Sequence, residues 1–175
     1  MSFSTTLWKI AVLCITVLAT RAESREVPSQ GIKTANGDFY IPSPRMNMVG
    51  NFGDKYYFIE SIPTQTDYYS ALTFCPNEHP AMTSVRVDSQ EELRYITSYG
   101  INTTIPAGTY WTGATSFGLY SWPDGSLLED LYIDRGNDYA PMCLYFHGSN
   151  AAGERLWGER CINRHFPICQ IITSK

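Results

Sequence analysis

The chain of 175 residues has no run of basic side chains, and its longest apolar stretch falls well short of the roughly 20 residues a membrane-spanning helix needs. Only 17% of its residues are charged, and the formal net charge is −4. An acidic balance without a basic block excludes nucleic acid and anionic membranes as main partners. No Cys-x-x-Cys occurs and no histidine stands at ligand spacing from a cysteine pair, which excludes a zinc site. Gly-x-Ser-x-Gly, His-Glu-x-x-His, Gly-x-Gly-x-x-Gly and the P-loop are all missing. His79, His147 and His165 are isolated in sequence and read as surface or capping residues. Glu91 and Glu92 are adjacent acids that favour a helix N-terminus and need no catalytic explanation. The chain is not read as an enzyme.

What it does have is aromatic side chains: 12 Tyr, 8 Phe and 4 Trp. Together with 43% apolar residues they indicate one β-rich globular domain with short appendages. Residues 1–22 read as a signal peptide. Lys9 leads into the apolar run from Ile10 to Ala19, and Thr20-Arg21-Ala22 offers a cleavage end. A secreted, extracellular protein follows, with no membrane insertion. Cleavage removes Cys14 and leaves Cys75, Cys143, Cys161 and Cys169. An even number in an oxidising compartment reads as two disulfides, with three pairings open. Asn102-Thr103-Thr104 is a sequon, so Asn102 is the expected glycosylation site.

Residues 23–53 are interrupted by prolines and glycines and show little periodicity, so they read as an extended N-terminal arm, with the folded domain at 54–175. Lys55–Glu60 is aromatic and bounded by Gly53 and Pro63, which predicts the first strand. Thr64-x-x-Asp67 is read as the cap of a helix whose Tyr68, Ala71, Leu72 and Cys75 share one face. Ser89-x-x-Glu92 caps a second helix, with Leu93, Ile96 and Tyr99 on one stripe and Gly100 as its stop. Met82–Val87 is a strand candidate between them. Short strands are expected at Tyr110–Thr112, Leu119–Trp122, Met142–Phe146, Arg155–Trp157 and Phe166–Ile171, around a long loop from Pro123 to Pro141. Two helices early and short strands late indicate an α+β domain.

These elements, in this order, resemble the C-type lectin-like domain over about 120 residues. The resemblance is carried by the Tyr-rich strand, the helix bearing Cys75 and the second helix from Ser89. It continues in Tyr110-Trp111-Thr112-Gly113, Trp122-Pro123-Asp124-Gly125, Cys143, Trp157-Gly158-Glu159-Arg160-Cys161 and Cys169. Secreted, single-domain insect lectins have a similar layout. The resemblance implies two helices, short antiparallel sheets, a long loop region, and the pairs Cys75–Cys169 and Cys143–Cys161. Loops of about 95 and 19 residues would then be closed, contributing about 4.7 and 3.2 kcal/mol on the chain-entropy model. It also implies that Trp111, Trp122 and Trp157 occupy core positions.

The resemblance further implies recognition of extracellular glycans or glycoproteins, but through a degenerate calcium site. The family's sugar-binding members hold Ca²⁺ with Glu-Pro-Asn or Gln-Pro-Asp in the long loop and a later Trp-Asn-Asp. Here Pro141 is flanked by Ala140 and Met142, which offer no side-chain oxygen. The later motif reads Trp157-Gly158-Glu159, with one residue fewer before Cys161. Asn137, Asp138, Glu154 and Glu159 are the acids and amide left to form a makeshift cage, since Ca²⁺ wants 6–8 oxygens. Tyr132, Asn137, Asp138, Tyr139 and Glu154 are the candidate carbohydrate-binding residues, the tyrosines as stacking surfaces and the others as hydroxyl partners. The alternative function is a metal-independent protein–protein ligand or extracellular-matrix component that has lost sugar binding.

Overall fold

A computed structural model describes residues 32–33, 39–40, 43–99, 107–116, 119–128, 133–134, 142–148 and 154–173. The first described strands, β1 (Ile32–Lys33) and β2 (Phe39–Tyr40), pair with each other. β3 (Met46–Phe52) and β4 (Lys55–Glu60) form an antiparallel hairpin closed at Gly53, whose φ of 59° is the left-handed conformation that suits glycine. β4 is the strand expected at Lys55–Glu60. β3 is an addition, because it lies in the segment read as an arm. The register shifts between Met48 and Gly50, and such a bulge breaks the period-two alternation that would have marked the strand.

α1 (Tyr68–Glu78) follows. Its cap is Asp67 rather than the Thr64 box: the Asp67 carboxylate accepts from the Ser70 amide at 3.0 Å. Tyr68, Ala71 and Cys75 face inward, as the spacing requires. The helix runs through Pro76 for one further half-turn and ends at His79, whose Nδ1 accepts from the Ala81 amide. β5 (Thr83–Ser84) is a short remnant of the strand expected at Met82–Val87. α2 (Gln90–Arg94) begins at the expected Ser89 cap, which accepts from the Glu92 amide at 3.0 Å. It continues as a π-helical turn over Tyr95–Tyr99. Leu93 and Ile96 are buried; Gly100 lies outside the described residues.

The remaining strands are β6 (Thr109–Ser116), β7 (Tyr120–Ser121), β8 (Ile133–Asp134), β9 (Met142–His147), β10 (Leu156–Arg160), β11 (Phe166–Pro167) and β12 (Cys169–Ile172). One sheet has the order β3-β4-β12-β5, and the other β11-β6-β9-β10-β8 with β7 paired to β6. Most pairings are antiparallel, but β10–β8 and β11–β6 are parallel. Disulfides join Cys75 to Cys169 and Cys143 to Cys161. The first ties α1 to β12. The second fastens β9 to the turn after β10. Both bonds fit an oxidising compartment. Among the described residues no helix is long and apolar enough to cross a membrane.

The main core fills the space between the sheets with Tyr57, Val85, Val87, Leu93, Ile96, Tyr110, Leu144, Phe146, Leu156 and Ile168. Beside it sits a charged knot absent from any sequence pattern. Glu92 and Lys55 are both buried, and the Lys55 ammonium lies 2.8 Å from the Glu92 carboxylate and 2.7 Å from Asp88. Tyr57 donates to Glu92 at 2.7 Å and the Asp88 amide donates to it at 2.8 Å. Every oxygen of that carboxylate is therefore matched, as a buried charge requires. Burial and the Glu92 charge push the Tyr57 hydroxyl far above its ordinary pKa, so it stays a donor.

Candidate functional site

Alternation along β6, β9 and β10 sorts their side chains onto two faces. Tyr110, Leu144, Phe146 and Leu156 face the core. The opposite face carries Trp111, Tyr145 and Trp157 in one cross-strand row, because Trp111 pairs with Tyr145 and Tyr145 with Trp157. Asp134 of β8 extends the row beside Trp157. α1 covers one end of this face, where Tyr68, Ala71, Trp111, Cys143 and Cys161 pack together. Trp111 is buried and donates its indole N–H to the Thr66 carbonyl at 2.9 Å. Beyond the helix, Tyr145, His147 and Trp157 are left half-buried. His147 meets Tyr145 at 5.6 Å and Trp157 edge-on at 5.8 Å between centroids.

The end of this face nearest α1 is held by His165. Its ring stacks on Tyr145 at 4.3 Å and stands edge-on to Trp111 at 4.2 Å. Nε2 lies 2.7 Å from the Glu159 carboxylate and Nδ1 bonds the Thr109 hydroxyl. The Asn163 amide also donates to Glu159. Burial drives the His165 pKa down, against the pull of Glu159. The ring is then neutral: its Nε2–H donates to Glu159 and Nδ1 accepts from Thr109. Hydroxyl, imidazole and carboxylate thus stand in the order of a nucleophile chain, but the imidazole is enclosed between two aromatic rings. We read it as a pin joining the start of β11 to β6 and β10. His165 is accordingly buried, not at the surface as its sequence isolation suggested. His147 is half-buried, and desolvation lowers its pKa.

At the open end, the Arg155 guanidinium lies over the Trp157 ring, 5.5 Å from its centroid. It is 3.4 Å from the Asp134 carboxylate. The Trp157 indole nitrogen is buried and has no hydrogen-bond partner.

No protein-family model and no curated protein sequence matches the chain. Solved structures do. The carbohydrate-recognition domain of the mouse scavenger receptor C-type lectin is 20% identical with a TM-score of 0.57, over 75% of this chain and 97% of that one. Human lithostathine is 14% identical with a TM-score of 0.60, over 85% of this chain and all of that one, 100%. A calcium-independent type II antifreeze protein is 19% identical with a TM-score of 0.55, over 75% and 95%. The fold is that of the C-type lectin-like domain.

Among C-type lectin-like domains the calcium question turns on β10. Trp157 was expected in the core, yet Leu156 is fully buried and Trp157 is not. Sliding the Trp-Asn-Asp motif back by one residue repairs the one-residue deficit before Cys161. Leu156 then takes the tryptophan's place, and Trp157 and Gly158 stand where the amide and acid would be. A one-residue slip sends each side chain to the opposite face. Neither Trp157 nor Gly158 offers a side-chain oxygen.

The described members of the makeshift cage are committed elsewhere. Glu159 holds His165 and Asn163, while Glu154 pairs with Arg94 at 2.8 Å and its carbonyl accepts from Gln90. These two acids are held by different partners, Glu154 by a guanidinium and Glu159 by a neutral imidazole and an amide. Among the described residues, no three His, Cys, Asp or Glu side chains are grouped to hold a metal. The described donors do not fit Ca²⁺, which needs six or more oxygens at 2.3–2.6 Å. Tyr132, Asn137, Asp138, Tyr139 and Asn102 lie outside the described residues. Sequence reasoning missed Tyr145, His147 and Trp157 as a half-buried set on one face. Their i, i+2 and cross-strand spacing shows only once the register is known.

Proposed function

We propose that this is a secreted, single-domain C-type lectin-like protein of the insect lectin layout, which binds extracellular carbohydrate without a working calcium site. The observation that supports it most is the half-buried pair of His147 and Trp157, which lies on the same face as Tyr145, itself packed against the α1 cluster and stacked on His165. Pyranose rings present apolar C–H faces that stack on such aromatic surfaces, while ring hydroxyls need polar partners at the rim. Asp134 supplies one on β8, and Tyr132, Asn137, Asp138 and Tyr139, outside the described residues, remain the further candidate sugar contacts of the long loop. Asn102 carries an N-glycan in this reading.

Retention on a panel of immobilised glycans, with and without chelator, tests this. Binding to at least one glycan that persists in EDTA is expected. Binding abolished by EDTA, or no binding to any glycan, overturns it.

A second reading has its own support. Tyr69 and Ile162 are 56% and 70% exposed, and they flank the point where the Tyr68 amide bonds the Cys161 carbonyl at 3.0 Å. An apolar pair of this kind suits a protein partner. Loss of glycan binding together with capture of a specific extracellular protein would favour it.

A further inference from the structure

We propose, resting on the carbohydrate reading above, that the saccharide recognised on this face is acidic, with a ring carboxylate received by Arg155 beside Trp157. Among the described residues two arginine–tryptophan pairs are seen, and they differ in what else holds the arginine. Arg86 lies 5.8 Å from the Trp122 centroid, but Asp88 and Asp124 grip it at 2.6 and 2.5 Å and Trp122 is only 4% exposed. That pair is finished structure. Arg155 is different. Its side chain is 48% exposed, and its carboxylate partner among the described residues, Asp134, stands at 3.4 Å, too long for a strong charge-assisted bond.

The other described acids close to Arg155 in sequence do not make up the difference. Glu159 is taken by His165 and Asn163, and Glu154 by Arg94. The guanidinium thus keeps unused donors in the planar fork that suits a carboxylate. The Trp157 indole N–H, enclosed without an acceptor, is a second unmet donor in the same pair of side chains. A pyranose set against His147 and Trp157 that carries a carboxylate places negative charge where the protein has left positive charge under-matched. A neutral sugar leaves the cation as loosely held as before.

Methyl β-D-glucuronide and methyl β-D-glucoside share one ring and differ in a carboxylate against a hydroxymethyl group, which makes them a matched pair of probes. Titration of the disulfide-intact chain, followed by tryptophan fluorescence at low ionic strength, should show the glucuronide binding about tenfold more tightly. That advantage should shrink in high salt, and Arg155→Gln should bring the two dissociation constants together. Arg155 is at the surface, so the variant is expected to fold, and Arg155→Lys should restore only part of the preference. Equal affinities in the parent chain overturn the proposal while leaving the carbohydrate reading intact. So does a preference that survives Arg155→Gln. Binding of neither sugar overturns the proposal, and the carbohydrate reading falls with it only if the whole glycan panel also fails.

Discussion

Gly158 and Met142 occupy each other's space: a Cβ on the glycine would stand 2.6 Å from the methionine sulfur. Met142 opens β9 directly after the long loop, and Gly158 lies on β10 where the slipped motif has its acid. The two departures from the calcium-binding pattern are therefore one packing solution. Met142 is buried at 5% exposure, and it fills the volume that a side chain at 158 would need. Restoring an acid at 158 alone does not rebuild a cage, because the space is already filled with sulfur and methylene.

Gly158→Ala should cost about 1–2 kcal/mol by overpacking, read as a lower urea midpoint at unchanged m. Met142→Ala should cost more on its own, through the cavity it leaves. The double variant should cost less than the sum, since each change relieves the other. Strict additivity would show that the two residues are not in contact.

Calcium should leave the thermal midpoint where EDTA puts it. A ligand bound only to the native state at a hundredfold excess over its dissociation constant adds about 2.7 kcal/mol of stability. That gain would be plain in a melt. A rise in midpoint with millimolar Ca²⁺ would mean that loop donors outside the described residues assemble a site.

Lys55→Met should be among the most damaging single changes, at about 3–5 kcal/mol, because it strands the Glu92 charge in the core. Lys55→Met combined with Glu92→Leu should recover much of that loss. Chemical denaturation of the three variants checks the order, and a double variant as unstable as Lys55→Met would contradict it.

Acid should destabilise the domain in two separable windows. His165 and His147 have pKa values lowered by burial, so the fold prefers them neutral. Their contribution is complete above the ordinary histidine pKa of about 6.5 and is lost as pH falls through the lower folded values. Asp67 is held low chiefly by its bonds from Ser70, and Asp88 by Lys55 and Arg86 against its burial. Their share is present above the ordinary aspartate range and disappears only at more acid pH. His165→Gln should shrink the first window to the part that His147 supplies and leave the second. Unfolding midpoints across pH for parent and variant measure both, and a parent profile level between pH 7 and 5 would contradict the assignment.

Much of the fold could be read from local signals. The Ser89 cap, the inward face of Cys75 and the aromatic strand at Lys55–Glu60 each rest on interactions within a few residues. What escaped depended on long-range pairing. β3 was hidden by its bulge, and Thr64 was credited with a cap that Asp67 makes. Glu92 looked like a surface acid favouring a helix terminus until Lys55, 37 positions away, was seen beside it. The site was less legible than the fold for the same reason. Whether Trp157 faces the core or the opposite side of the sheet is decided by one residue of register on β10, and nothing in the local sequence fixes that.

The measurement that bears most directly on carbohydrate recognition by this face is retention in EDTA on the panel's best glycan, compared between the parent chain and Trp157→Ala. Circular dichroism should confirm that the variant is folded, and His147→Ala serves as a second, milder lesion. The expected result is undiminished retention of the parent in EDTA, with a loss of tenfold or more for Trp157→Ala, which is about 1.4 kcal/mol or more. A folded Trp157→Ala variant retained as strongly as the parent would place sugar binding elsewhere on the molecule.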